Sequence, residues 1–392
     1  MATKINLRSP YYIKVSKTAL TSVELKLYIY TGTFTANGSV AAGTLRYTIN
    51  KKPLGSNAYV VFEVSELVRD YLDVEFNGDY NSESVWLNAI ATVTGGSGSV
   101  TVSPDNTNGF IGLDGYGYFE EGANPTLSTT ALQSNNSIIA LDDNLFRVPV
   151  FVAGTESVSL LYKGEVKQTI DLSSASVDET TEQIRYISAN STGSGDVTYD
   201  SFQERVLNDG GTFEGSSCLS EFLDSVSIGL IDEVYVSSAS GVEVFKVKTL
   251  EECLYTPIKV TFVNKFGAFQ DLIFFKKSID KTSVKGEEFK TAVFDQATLT
   301  YKTYQHQRTQ FMVQGTDSIT MNTGYISEDY NKVIEQLMLS EQVWATFITD
   351  SEEVRPLVPK TKSFTHKTQL NDKLIDYTIE FDIANNKINN IR

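Results

Sequence analysis

Alternation of apolar and polar residues with a period of two constrains this chain more than any other feature. Val23, Leu25, Leu27 and Ile29 alternate with Glu24, Lys26, Tyr28 and Tyr30. Leu45, Tyr47 and Ile49 repeat the pattern, as do Val85, Leu87, Ala89, Ala91 and Val93. Successive side chains of a strand point to opposite faces, so this pattern specifies strands with one dry face. Turn formers separate the runs at Asn37-Gly38, residues 53–57, Asn77-Gly78 and residues 95–99. Short strands at that spacing predict a β-sandwich over residues 1–102. One short helix should interrupt it, with Ser65 as cap and Leu67, Val68, Tyr71 and Leu72 on a shared face.

Between residues 103 and 145 the pattern dissolves into Asn-Gly and Asp-Gly turns, an aromatic knot (Tyr116, Tyr118, Phe119) and a Ser/Thr/Asn-rich tract. A stretch of that length without elements of its own reads as a functional loop or linker. Strand patterning resumes over 146–250, a middle β-rich domain, with a Gly/Ser-rich tip at 188–200. Residues 251–392 form a last predicted domain. Ile258, Val260 and Phe262 share a face, a turn follows at 264–267, and 272–275 return. Residues 327–339 carry the one strong helical stripe, Tyr330, Val333, Ile334, Leu337 and Met338, with Ser327 as the N-cap. Residues 343–349 then read as a strand and 354–361 as its return, which Pro356 and Pro359 make an edge or a bulged strand. Finally Ile375, Tyr377, Ile379, Phe381 and Ile383 alternate with Asp376, Thr378, Glu380 and Asp382, giving a dry face and a wet acidic one. The helix and this strand are each apolar on one side, and the expectation is that they pack together.

Chemistry-bearing motifs are sparse. The chain of 392 residues has only two histidines, His306 and His366, and two cysteines, Cys218 and Cys253. No HExxH, GxSxG, GxxxxGK[ST] or GxGxxG occurs, and the GGSGS run at 95–99 lies between two strand patterns, as a hairpin turn does. Acid pairs such as Glu120-Glu121, Asp142-Asp143, Glu251-Glu252 and Glu352-Glu353 read as solvated surface among 49 acidic residues. No metal, cofactor or catalytic group is therefore expected. The net charge of -16 argues against nucleic-acid backbone binding. No apolar run approaches the ~20 residues of a membrane span. The opening MATKINLRSPYY lacks a signal peptide's apolar core, and the two thiols are expected to be free, as in a reducing cytoplasm. Against the acidic whole stands a local basic run, Lys276, Lys277, Lys281, Lys285 and Lys290, either a solvated loop or a docking site for an acidic neighbour or another copy.

Several segments together resemble virion structural proteins of tailed bacteriophages, of the tail or baseplate kind. They are NLRSPYYI, VFEVSELVRDYL, GYGYFEEG, CLYTPIKVTFVNKFGAFQDLIFFKK and the closing TKSFTHKTQLNDKLIDYTIEFDIANNKINNIR. The resemblance implies β-sandwich modules assembled as rings, with a tail-tube-like C-terminal β-sandwich carrying one packed helix. It implies a virion location after synthesis in the host cytoplasm, with other copies and neighbouring tail proteins as partners. The expectation is a mainly β, multi-domain, non-enzymatic protein. Tyr116, Tyr118, Phe119, Lys276 and Lys277 are its candidate interface residues. Asp376, Glu380 and Asp382 are candidates to face a lumen through which DNA passes without sticking. A carbohydrate-binding adhesin and a β-rich glycosidase or depolymerase stand as the two alternatives.

Overall fold

A computed structural model describes residues 3–31, 44–55, 58–80, 85–104, 109–125, 127–141, 145–152, 155–172, 184–190, 198–199, 231–250, 252, 254–347, 353–368 and 375–388. Cys218, Cys253, the Asn37-Gly38 turn, Asp142-Asp143, Glu251, Glu352 and most of the 188–200 tip lie outside them. Strands take 56% of the described residues and helices 6%, which places the protein in the mainly β class with several sheets. The chain divides into two compact units. One comprises 1–252, 261–272 and 329–341; the other comprises 253–260, 273–328 and 342–392.

The first unit contains two sandwiches. The N-terminal one is built from β1 (Thr3–Asn6), β2 (Tyr12–Thr18), β3 (Ser22–Tyr30), β4 (Leu45–Lys51), β5 (Tyr59–Glu63), β6 (Val85–Thr94), β7 (Ser97–Ser103) and β8 (Phe110–Leu113). Its sheets run β1-β8-β6-β3-β4 and β5-β2-β7. Val23, Leu25, Leu27 and Ile29 of β3 are fully buried and share one core with Ile13, Val15, Val60, Phe62, Leu87 and Phe110. The short helix α1 is Ser65–Arg69. Ser65 lies inside it, and its hydroxyl donates to Glu63 Oε1 (2.5 Å) instead of capping.

The second sandwich uses β9 (Ser137–Leu141), β10 (Leu145–Phe151), β11 (Ser157–Tyr162), β12 (Glu165–Asp171), β13 (Ile184–Asn190), β14 (Thr198–Tyr199), β15 (Glu233–Ser238) and β16 (Gly241–Leu250). Its sheets are β12-β11-β15-β16-β9 and β10-β13-β14. Val148, Val150, Val158, Leu160, Ile187, Val234, Val236 and Phe245 close the core between them. The stretch 103–145, expected to be patternless, thus supplies two strands, β8 and β9. All four residues of β8 are buried, so it has no polar face to alternate with.

The second unit holds β19 (Ile279–Lys290), β20 (Phe294–Asp295), β21 (Thr300–Tyr301), β22 (Arg308–Asn322), β23 (Val343–Phe347), β24 (Glu353–Pro359) and β25 (Thr378–Ile383). Its main sheet runs β23-β24-β25-β22-β19; of the hairpin strands β17 (Ile258–Val263) and β18 (Phe269–Phe274), residues 261–272 belong to the first unit. Ile375, Tyr377, Ile379 and Phe381 are buried, and Phe381 meets Phe274 edge-on at 6.0 Å. The return strand β24 is a correction to the sequence reading: it sits between β23 and β25, not at an edge. The ladder to β25 covers only Leu357–Pro359, so Pro356 lies one residue before it and Pro359 ends the strand.

The strong helix α2 is Tyr330–Leu339, and it belongs to the first unit, whereas β25 belongs to the second. Because the helix starts at Tyr330, Ser327 is not its cap; Asp329 precedes the first turn and makes no side-chain cap bond. Val333, Ile334 and Leu337 are fully buried, while Met338 is only half-buried. Gln336 is buried as well, accepting through Oε1 from Ser134 Oγ (2.5 Å) and from the Lys265 backbone N–H (3.0 Å).

Candidate assembly surface

Strands β19 and β22 pair antiparallel from Ile279↔Thr320 out to Lys290↔Arg308. On its other side β22 meets β25 only over Ser318–Asn322. The outer part is thus a two-stranded ribbon, capped by the small β20–β21 ladder. From Val284 to Lys290 it extends about 20 Å at strand rise. The residues explain why it is extended: Thr, Val and Phe recur, and no proline occurs between 276 and 294. One irregularity sits where Lys285↔Gln314 is followed by Glu287↔Phe311, which inserts an extra residue into β22. Met312, at φ 52°, takes the left-handed conformation that the bulge requires.

This arm exposes what a free surface usually hides. Val284, Leu299, Tyr301, Tyr304 and Met312 are each more than 60% accessible. Phe289 and Phe311 lie edge to face at 5.7 Å with both rings still exposed. An isolated two-stranded ribbon is marginally stable in water and gains stability from further strands or a covering surface. The arm's charge also differs from that of the rest. Over 279–322, Lys281, Lys285, Lys290, Lys302 and Arg308 balance Asp280, Glu287, Glu288, Asp295 and Asp317, so the excess of -16 resides elsewhere in the chain. The sequence reading found the lysines but not the arm: Lys281, Lys285 and Lys290 lie on a strand.

The sequence-chosen aromatics are divided by the structure. Tyr116 is buried, with the Arg8 guanidinium 5.0 Å over its ring and Tyr118 edge-on at 5.8 Å. Its backbone N–H donates to Lys265 O (2.8 Å), and Lys265 Nζ lies 4.3 Å over Tyr118 while pairing with Glu121. Gly267 makes this approach feasible: it has φ 80°, and a β-carbon there would stand 2.8 Å from the Asp114 backbone nitrogen. Beside it, Arg69 bridges Asp114 (3.2 Å) and Glu341 (2.5 Å), and Arg8 pairs with Glu341 at 3.3 Å. Burial raises the Asp114 carboxyl despite two arginines, whereas the Arg69 hydrogen bond holds Glu341 below its usual value. Phe119 alone of the three aromatics projects fully, at 99% exposure.

Lys277 is exposed; Lys276 is half-buried, with its ammonium 5.3 Å over the Phe275 ring and its N–H donating to Asn322 O (3.2 Å). The acidic row on and beside β25 is accompanied by lysines. Lys360 pairs with Glu380 (2.8 Å) and Asp382 (3.4 Å). Lys367 pairs with Asp376 (3.1 Å), which also accepts from Asn322 Nδ2 (3.1 Å). The Asn322 and Lys367 bonds hold the Asp376 carboxyl below the ordinary range, as the Lys360 bond does for Glu380. The row therefore carries less net charge than its acids alone suggest.

Among the described residues no group of three His, Cys, Asp or Glu could hold a metal ion, and no helix is long and apolar enough to cross a membrane. No protein-family model matches the chain, and no curated protein matches it in sequence.

Proposed function

We propose that this protein is a non-enzymatic structural component of a phage tail or baseplate, which assembles as a ring or adaptor and holds neighbouring tail proteins and other copies of itself. The observation that carries the structural part is the arm formed by β19 and β22, a ribbon that exposes aromatic and aliphatic side chains along its length. Exposed apolar surface of this extent marks interaction sites in soluble proteins. The virion part rests on the sequence resemblance. The acidic row remains the proposed lumen face, with Lys360 and Lys367 moderating its repulsion of passing DNA. The mass of the purified chain in solution, followed by electron imaging of its assemblies, tests this reading. Ring-shaped or stacked oligomers are expected, and Phe294→Ser with Tyr301→Ser at the arm's tip should reduce them. Turnover of a polysaccharide, lost on changing one carboxylate pair, would overturn it in favour of a depolymerase.

A further inference from the structure

β19 is the outermost strand of its sheet, and it is 12 residues long. Proteins usually blunt such an edge with proline, a bulge or charged side chains, lysine above all. Here there is no proline, and the bulge lies on β22, which leaves β19 regular. The edge charges cancel: Lys281, Lys285 and Lys290 against Asp280, Glu287 and Glu288. The outer edge of β22 is more protected, since Gly315 O already accepts from Lys387 N (3.0 Å) and Asp317 pairs with Lys387 Nζ at 2.9 Å.

We infer that β19 pairs antiparallel with β19 of a second copy of this chain, about a two-fold axis through Gly286. The inference deepens the assembly reading by naming the partner of the arm. A two-fold antiparallel pair keeps each face on its own side, so residues at equal distances before and after the centre stand opposite one another. Centred on Gly286, Lys285 faces Glu287 of the second copy, and the reverse pair forms by symmetry. Val284 then faces Glu288, Ser283 faces Phe289 and Thr282 faces Lys290, with no like charges opposed. Neighbouring registers fail this test. A centre at Lys285 sets lysine on lysine, one at Glu287 sets glutamate on glutamate, and one at Val284 sets Glu288 on Asp280. Opposite charges directly across a ladder stabilise it and like charges destabilise it. Elsewhere two copies of a chain at -16 repel, so this neutral edge is a place where they can approach.

Sedimentation velocity of the full chain over a concentration series tests the pairing, using Lys285→Glu and the swap Lys285→Glu with Glu287→Lys. Lys285 is exposed, so neither change disturbs a core. The single variant should weaken self-association about tenfold or more, as expected when close charge pairs are broken. The swap should restore it to within about threefold. A single variant that associates like the wild type, or a swap as weak as the single variant, overturns the edge pairing while leaving assembly through other surfaces standing. A wild-type chain that stays monomeric throughout overturns both the pairing and the assembly reading.

Discussion

Tyr116 and Phe119 stand three residues apart in one aromatic knot and have opposite environments. Tyr116 is 8% exposed beneath Arg8, and Phe119 is 99% exposed. Tyr116→Ser should therefore lower unfolding stability by about 3 kcal/mol. Phe119→Ser should stay within about 0.5 kcal/mol. Chemical denaturation of the two variants checks the contrast. From the sequence alone the two residues were indistinguishable, because burial here is set by Arg8, Lys265 and the turn at Gly267, all distant in the chain. The acids around Arg69 give a second test. Glu341 has a folded pKa below its unfolded value of 4.5, so its contribution is present above that value and is lost as pH falls through the folded one. Asp114, raised by burial, has the opposite sign: its contribution is present below 3.8 and is lost as pH rises through its folded value. Glu341→Gln should reduce stability at neutral pH by about 0.5 kcal/mol, a value discounted for the pair's exposure. The variant and wild-type stability curves should converge as pH falls below 4.5.

At the scale of elements, legibility followed contrast between faces. β3 was readable to the residue because Val23, Leu25, Leu27 and Ile29 are dry and their neighbours only half-buried. β8 was not, because all of it is dry; β19 was not, because nearly all of it is wet. Neither offers the alternation that identifies a strand. The helix α2 was legible from its stripe, but its start was placed three residues early, since Ser327 has a cap's chemistry where the chain is still turning. Leu337→Asp should place an unpaired carboxylate in a fully buried site and lower stability by about 3 kcal/mol or more. Lys332→Gln, on the exposed side of the same helix, should change it by less than about 0.5 kcal/mol. Thermal or denaturant midpoints separate the two. Glu335 is a poorer control than its sequence position suggests, being half-buried, with its charge adding to burial in raising the Tyr118 hydroxyl.

For the whole molecule, the mainly β class was readable from composition and period, whereas the grouping of α2 with the first unit was not, since it depends on contacts such as Gln336 to Ser134 across the sequence. The candidate interface divided similarly: its lysines were visible and its arm was hidden. The proposed function is assembly through that arm. The mass of the full chain in solution, measured alongside Phe294→Ser with Tyr301→Ser, tests this most directly. The wild type should exceed 43.4 kDa in discrete multiples, and the tip variant should shift toward the single-chain mass with an unchanged unfolding midpoint. A wild-type chain that remains at 43.4 kDa at every concentration would contradict it.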